Sequence, residues 1–369
     1  MRTLVTGGAG FIGSHLVQRL VDLGEDVIVL DSLEPQVHGG KPPELPDGVH
    51  FVHGDVGDPD VVDAALDGVE RVVHLAAAVG VGQSMYEIAD YVRKNTYATA
   101  IFLERLVARD QRPSRLVVAS SMSIYGEGEY TCAQHGRFAP APRPEHQLVA
   151  RQWECLCPEC GEELEPAATR ERKPLIPTSV YAVTKRDHEE LALVVGAAYG
   201  IPTTALRFFN VYGPGQSLSN PYTGVAAIFS SRLLNGRAPL VFEDGQQTRD
   251  FIHVSDIVEG ILLALGSEAA AGRAVNLGTG RRTSVLEVAH ALANGLDVLI
   301  EPEVNGQYRA GDIRHCFADP QLAEELLGFK ARVSLEHGMS ELITWLADQE
   351  ADDRVAAATN ELAAWGLTR

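Results

Sequence analysis

No apolar run of about 18 residues, the length a membrane-spanning helix needs, occurs in this 369-residue sequence. Met1 to Gly13 also lack the basic lead and apolar core of a secretory signal. The expectation is a soluble, cytoplasmic protein. Basic residues are a minority: 31 Lys and Arg face 50 Asp and Glu, for a formal net charge of −19. Such a surface repels polyanions, which argues against nucleic acid and anionic membranes as partners. A phosphate-bearing ligand must then be gripped by local donors against the overall field. Cysteine is scarce, five in all, yet four lie between Cys132 and Cys160. In a cytoplasmic chain, such clustering suggests a metal before a disulfide.

What is present is ordinary globular composition, 45% hydrophobic and 22% charged, enough for one large domain or two coupled ones. Short apolar runs alternate with helical stretches from Met1 to Gly126. Thr3–Val5, Val27–Leu30, His50–Val52, Arg71–Leu75 and Arg115–Ala119 read as strands, with a helix over Phe11–Leu23. Continuous apolar strands separated by helices predict an α/β fold, a Rossmann-type doubly wound parallel sheet. Residues 127–178, rich in proline and charge, read as an irregular insertion. A helix near Tyr181 and a strand over Thr203–Phe208 resume the pattern. The organisation expected is a dinucleotide-binding domain over 1–126 and 179–209, the insertion over 127–178, and a smaller C-terminal α/β substrate-binding lobe over 210–369. Some segments of that lobe return to the first domain.

The first strand runs into Gly7-Gly8-Ala9-Gly10-Phe11-Ile12-Gly13 and then a helix. In this context Gly7 allows a tight turn, Gly10 a close approach of pyrophosphate, and Gly13 contact between helix and strand. Free amides and the helix dipole then hold the phosphates. Asp31, at the end of the second strand, suits a ribose 2′-hydroxyl and repels a 2′-phosphate, so NAD is expected over NADP.

Tyr181 and Lys185 stand one helical turn apart. A phenol titrates near ~10, and an adjacent ammonium together with a cationic nicotinamide should lower it into the working range of a base. Ser121, at the end of a strand, can bridge substrate oxygen and phenol.

These residues, with Asp55-Val56, His74-Leu75-Ala76-Ala77, Asn95, Arg207 to Pro214, Arg249 to Val254, Asn276-Leu277-Gly278 and Arg309 to Asp312, resemble the nucleotide-sugar epimerase and dehydratase branch of the extended short-chain dehydrogenase/reductase superfamily. The resemblance covers nearly the whole chain. It implies that Asp55 and Val56 flank the adenine, that Ala76 and Ala77 with Asn95 border the cofactor, and that Ser121, Tyr181 and Lys185 are catalytic. It further implies that Asn210, Arg249 and Arg309 grip a nucleotide-diphosphate sugar, with Asp312 close by. A homodimer joined through helices near Tyr86–Ala108 and Tyr181–Tyr199 is also implied. His15, His188 and His290 read as helix-surface residues.

The family's dehydratases carry an Asp-Glu pair directly after the catalytic serine or threonine. Met122-Ser123 stands there in this chain, and Met cannot move a proton. C4 epimerisation needs no further acid, and is the reaction expected. Val79–Tyr86, Ser32–His38 and the cysteine-bearing insertion resemble the family members that act on dTDP-L-rhamnose. UDP-glucose or UDP-glucuronate 4-epimerisation is the alternative substrate reading, and an NDP-sugar dehydratase or decarboxylase the alternative chemistry. A non-catalytic NAD(H)-binding sensor would dispense with Tyr181 or Lys185.

Within the insertion, Cys132-x2-His135 and Cys157-x2-Cys160 have the paired spacing of a structural zinc site. Gly136 and Gly161 follow the two pairs, as tight knuckles require. Cys155 is a rival ligand to Cys157, and an exposed loop with free thiols is the alternative.

Overall fold

The computed structural model describes residues 1–40, 44–309 and 311–369, so Ala310 of the Arg309–Asp312 motif lies outside the described residues. Seven strands form the main sheet: β1 (Arg2–Thr6), β2 (Asp26–Asp31), β3 (His50–His53), β4 (Arg71–His74), β5 (Arg115–Ser121), β6 (Thr203–Phe208) and β7 (Arg273–Leu277). All pair in parallel, in the order β7-β6-β5-β4-β1-β2-β3. The helices that matter below are α1 (Phe11–Asp22), α2 (Ala98–Val107), α3 (Val180–Tyr199), α4 (Val225–Leu234), α5 (Val254–Gly266), α6 (Val285–Gly295), α7 (Leu335–Leu346) and α8 (Val355–Ala364).

The continuous apolar runs make sense because both sheet faces are covered. Successive side chains of a strand point to opposite faces. Leu4, Ile28, Val72, Leu116 and Ala205 accordingly pack with Phe102 and Leu106 of α2 and Ala192 of α3. Their neighbours Val5, Val29, Val73, Val117 and Leu206 pack on the other side with Leu16 and Leu20 of α1 and Ile257 and Ile261 of α5. Truncating one such residue, Leu16→Ala for instance, costs about 2–5 kcal/mol. A separate core around Phe229, Leu292 and Leu342 joins α4, α6 and α7.

The expected fold class holds, while the insertion departs from expectation. It contains a three-stranded antiparallel sheet, with Glu129–Cys132 between Gly136–Phe138 and Glu165–Ala167. Its buried core is small: Tyr130, Cys132, Cys155, Cys157 and Leu164.

Strand order reverses between β1 and β4, since β2 follows on one side of β1 and β5 on the far side of β4. Crevices at the carboxyl ends of such strands bind ligands. Residues 7–13 leave β1 there, and Ala76 and Ala77 leave β4.

Candidate active site

The crevice is a cavity of about 560 Å³ bordered by both the sheet and the 210–226 segment, within the size range of small-molecule sites. Its floor is the glycine turn. Gly7 has φ +69°, and a β-carbon there would meet the Ala76 amide nitrogen at 2.8 Å. At Gly13 it would lie 2.2 Å from the Gly7 carbonyl, whereas at Gly10 the sole neighbour within 4 Å is that carbonyl at 3.3 Å. Gly10 therefore leaves open the room that a pyrophosphate needs, and any side chain would fill it. No side chain caps α1 at Gly10, so its first amides remain available to an anion. The cradle fits a dinucleotide.

Asp31 is buried at the edge of this cavity. Its carboxylate accepts hydrogen bonds from the Ala9 amide (3.0 Å) and the Leu33 amide (2.9 Å), and His38 approaches to 3.5 Å. It is thus fixed to the glycine turn before any ribose arrives. Phe11, Ile12, Asp55, Val56, Ala76 and Ala77 line the cavity as well. Asn95 does not. It is buried and ties down the backbone of Ala78 through both its amide nitrogen (3.0 Å) and oxygen (2.7 Å), shaping the wall from behind.

Ser121 ends β5, and Tyr181 and Lys185 occupy the first turns of α3; all three line the cavity. Ser179 starts α3, its hydroxyl accepting from the Ala182 amide at 3.1 Å, and the Tyr181 amide donates to the Ser84 hydroxyl at 3.0 Å. Ser121 Oγ receives the Ser123 hydroxyl at 2.9 Å. Burial pushes the Tyr181 phenol up to about 12, with the Ser121 hydroxyl opposing. It pushes Lys185 down to about 7, with Glu189 opposing. The sequence suggested a phenol lowered by its ammonium neighbour. In the protein alone, burial of both groups outweighs that attraction and favours their neutral forms.

Lys185 Nζ lies 3.4 Å from His188 Nδ1. His188 Nε2 meets Thr99 Oγ1 at 2.9 Å, Thr99 Oγ1 meets His74 Nε2 at 3.0 Å, and His74 Nδ1 meets Thr6 Oγ1 at 2.7 Å. A buried hydrogen-bonded chain thus runs from the lysine to the strand that carries the glycine turn. The surface reading of His188 is corrected: it is buried. The spacing Lys185–His188, one turn on the lysine's own face, was the available signal.

Asn210 lines the cavity with a buried side-chain oxygen that has no partner. Met122 and Ser123 line it too. Arg249, Arg309 and Asp312 meet one another instead: Asp312 receives Arg309 at 3.0 Å and Arg249 at 3.4 Å. Arg249 also donates to the carbonyls of Ile313 (2.7 Å) and Arg314 (3.0 Å). None of these three is among the residues bordering the 560 Å³ cavity.

Away from this cavity, one side-chain ligand atom from each of Cys132, His135, Cys157 and Cys160 falls within 4.8 Å of the others. Cys155, the rival ligand, is buried beside them and is not in the group.

A model of the NAD dependent epimerase/dehydratase family matches residues 3–145 and 154–278. The chain belongs to that family. Its curated relatives include dTDP-L-rhamnose 4-epimerase of Burkholderia thailandensis, 37% identical over 95% of this chain and 96% of the relative. Among solved structures, UDP-glucose 4-epimerase of Thermotoga maritima with UDP-glucose superposes at a TM-score of 0.77, with 30% identity over 94% of this chain and 99% of that one. UDP-glucuronic acid 4-epimerase of Bacillus cereus, in complex with UDP-glucuronic acid and NAD, gives 0.76 with 26% identity over 94% and 99%. Several motif residues of this family member serve the scaffold. Arg207 pairs with Glu189 and donates to Tyr125 at 2.7 Å. Tyr125 donates to Asn276 at 2.7 Å, and buried Asp250 accepts amide hydrogens from Thr279, Gly280 and Ala318.

Proposed function

We propose that this protein is an NAD-dependent nucleotide-sugar 4-epimerase, with dTDP-L-rhamnose or a related NDP-hexose as substrate. The carrying observation is that Ser121, Tyr181 and Lys185 meet on the wall of one cavity whose floor is the Gly7–Gly13 turn. The residue beside Ser121 is Met122, which offers no acid for dehydration. NAD, held over the Gly7–Gly13 turn and Asp31, would supply the hydride chemistry at C4. The side chains do the rest. Tyr181 takes the C4 hydroxyl proton and restores it after the keto sugar has turned over, and Ser121 orients that oxygen. Lys185, once charged, favours the phenolate.

The 37% identical dTDP-L-rhamnose 4-epimerase and Asn210's unpaired buried oxygen support a nucleotide-sugar substrate. The UDP-glucose and UDP-glucuronic acid 4-epimerases of similar structure support the alternative bases and sugars. Exposed apolar side chains on the expected helices, including Val183 and Val194 of α3 and Tyr97 leading into α2, support a homodimer. Among the described residues no helix is long and apolar enough to cross a membrane, consistent with a cytoplasmic enzyme. A structural zinc at Cys132, His135, Cys157 and Cys160 would be closed by four protein ligands and stand outside the hydride chemistry.

The test is proton NMR of dTDP-L-rhamnose incubated with the purified protein and no added cofactor. Inversion at C4 with unchanged mass is expected. Inversion of UDP-glucose or UDP-glucuronate alone would move the substrate assignment and leave the reaction. Loss of water or carbon dioxide would overturn the epimerase reading.

A further inference from the structure

The insertion's cysteine cluster has the dimensions of a filled tetrahedral site. Cys132 Sγ is 3.5 Å from His135 Nδ1 and 3.7 Å from Cys160 Sγ, and Cys157 Sγ is 3.6 Å from the same His135 nitrogen. Zinc–sulfur and zinc–nitrogen bonds of about 2.3 and 2.0 Å place neighbouring ligands of a tetrahedron roughly 3.5–3.8 Å apart. Each ligand pair is followed by a glycine in the left-handed region, Gly136 at φ +80° and Gly161 at φ +76°. The Gly161 amide donates back to the Cys157 carbonyl at 2.8 Å. Both turns are of the tight kind that lets two ligands face one ion. No disulfide joins the four thiols of the chain's insertion.

This mini-sheet has five buried apolar or thiol side chains to hold it. So few cannot offset the ordering of some fifty residues, and small cores of this kind need a staple. Yet the segment carries weight well beyond itself. Glu127, just before the strand that ends in Cys132, accepts the amide of Arg314 at 2.8 Å and that of His315 at 3.3 Å. Glu154, next to Cys155, binds the Arg314 guanidinium at 2.9 Å and His315 at 3.0 Å. Arg143 spans the Trp153 carbonyl (2.8 Å), Glu243 (2.8 Å) and the Asp312 carbonyl (3.2 Å). Residues 312–315 are thus clamped from the insertion's side. Those residues in turn hold Arg249, through the carbonyls of Ile313 and Arg314, and both Arg249 and Arg309 through Asp312.

We propose that Cys132, His135, Cys157 and Cys160 bind one zinc ion whose role is to set nucleotide-sugar affinity, by keeping the insertion folded as the clamp that positions Arg249 and Arg309. The inference rests on the nucleotide-sugar reading for its ligand, while the metal site and the clamp stand on geometry alone. Zinc release disorders the insertion, frees the 312–315 segment and lets the two arginines drift. The dinucleotide cradle, whose cavity is bordered by no residue of the insertion, keeps its shape.

The experiment measures zinc per chain in the purified holoenzyme, then strips it with a chelator and restores it. Hydrogen exchange at the Arg314 and His315 amides, calorimetric binding of dTDP and UDP, and retained NAD are followed in each state. The expected result is one zinc per chain. On stripping, those two amides should exchange at least tenfold faster and the tighter nucleoside diphosphate should bind at least tenfold more weakly, with NAD retained and zinc reversing both changes. Cys157→Ser should reproduce the stripped state, and Cys155→Ala should keep its zinc. Absence of zinc from the purified protein, together with failure to take it up, overturns the site. Zinc loss that leaves both amides protected overturns the clamp. If neither nucleotide binds the zinc-loaded protein, the nucleotide-sugar reading fails and the link to affinity falls with it, whereas the metal content and amides still judge the site and the clamp.

Discussion

Lys185 and His188 face each other inside the protein, the ammonium nitrogen 3.4 Å from the imidazole Nδ1. Two groups that both carry positive charge when protonated are buried side by side, so each disfavours the other's protonation. Burial, then the Lys185 charge, keeps His188 well below its usual value of 6.5, and the same two causes bring His74 to about 3. A neutral His188 can accept from the lysine and hold it against the wall of the cavity. The relationship fixes where the ammonium points, which is what a residue assisting Tyr181 needs.

The sign of the pH dependence follows. Folding lowers Lys185 from 10.5 to about 7, so between those values the unfolded chain binds more protons and stability rises with pH. Above 10 the trend reverses, because folding raises Tyr181 to about 12 and the folded state then binds more. On the acid side, His74 titrates at 6.5 unfolded and about 3 folded, so stability falls as pH drops through that window. Thermal melts of the NAD-free protein should show a rise from pH 7 to 10, and Lys185→Met should flatten it. An unchanged slope in that variant would contradict the assignment.

Tyr181→Phe removes the proposed proton acceptor and little else. Turnover should fall about 10²–10⁴-fold, the usual worth of a positioned acid–base group, with the nucleotide-sugar KM nearly unchanged. Steady-state kinetics and NAD content of the variant check this together.

Gly13→Ala puts a methyl group 2.2 Å from the Gly7 carbonyl. Neither partner is a flexible side-chain end, so helix and turn must separate. The protein should purify largely without NAD and melt at lower temperature. Gly24→Ala serves as the comparison, since a methyl there meets no atom within 4 Å, though its φ of +76° carries its own strain.

Asp31→Ala leaves the Ala9 and Leu33 amides without their acceptor as well as removing the proposed ribose partner. Loss of a buried charged hydrogen bond costs about 1–3 kcal/mol, roughly a tenfold to hundredfold drop in NAD affinity. Fluorescence titration of the stripped enzyme would measure it.

Arg249→Ala should raise the nucleotide-sugar KM more than it lowers kcat, because the guanidinium is anchored by Ile313 and Arg314 rather than by the reacting centre. A charge-assisted hydrogen bond is worth about 1.5–3 kcal/mol, so a rise of roughly 10-fold to 100-fold is expected. A collapse of kcat with constant KM would place Arg249 at the chemistry instead.

Parallel strands buried on both faces announce themselves as apolar runs, as Val27–Leu30 does within β2, and the β-branched start of Thr203–Phe208 let that strand be read with its observed bounds. The glycine turn was equally legible, since its tightest constraint is local: a β-carbon at Gly13 would run into Gly7 and Gly8, no more than six residues away. Contacts across long separations were not legible. His188 looked like a polar helix residue because its partner Thr99 is 89 residues away. The insertion's strands are three or four residues long and carry Glu, Arg and Pro, too short for alternation to register. Asp312 looked like one more substrate-side polar group. That it ties two arginines together depends on how the segment at 312–315 is held by Glu127, nearly 190 residues earlier.

The position of β6 between β5 and β7 bears on how the chain is made. All six residues of β6 are buried in the finished protein, but the strand that pairs with one of its edges, Arg273–Leu277, comes later in the chain. Once residue 210 has emerged from the ribosome the chain therefore presents a bare sheet edge, and more than sixty further residues must emerge before it is sealed. Nascent chains stalled in that interval should be the aggregation-prone species of this protein, and a holdase that shields parallel-strand edges during synthesis should raise its yield.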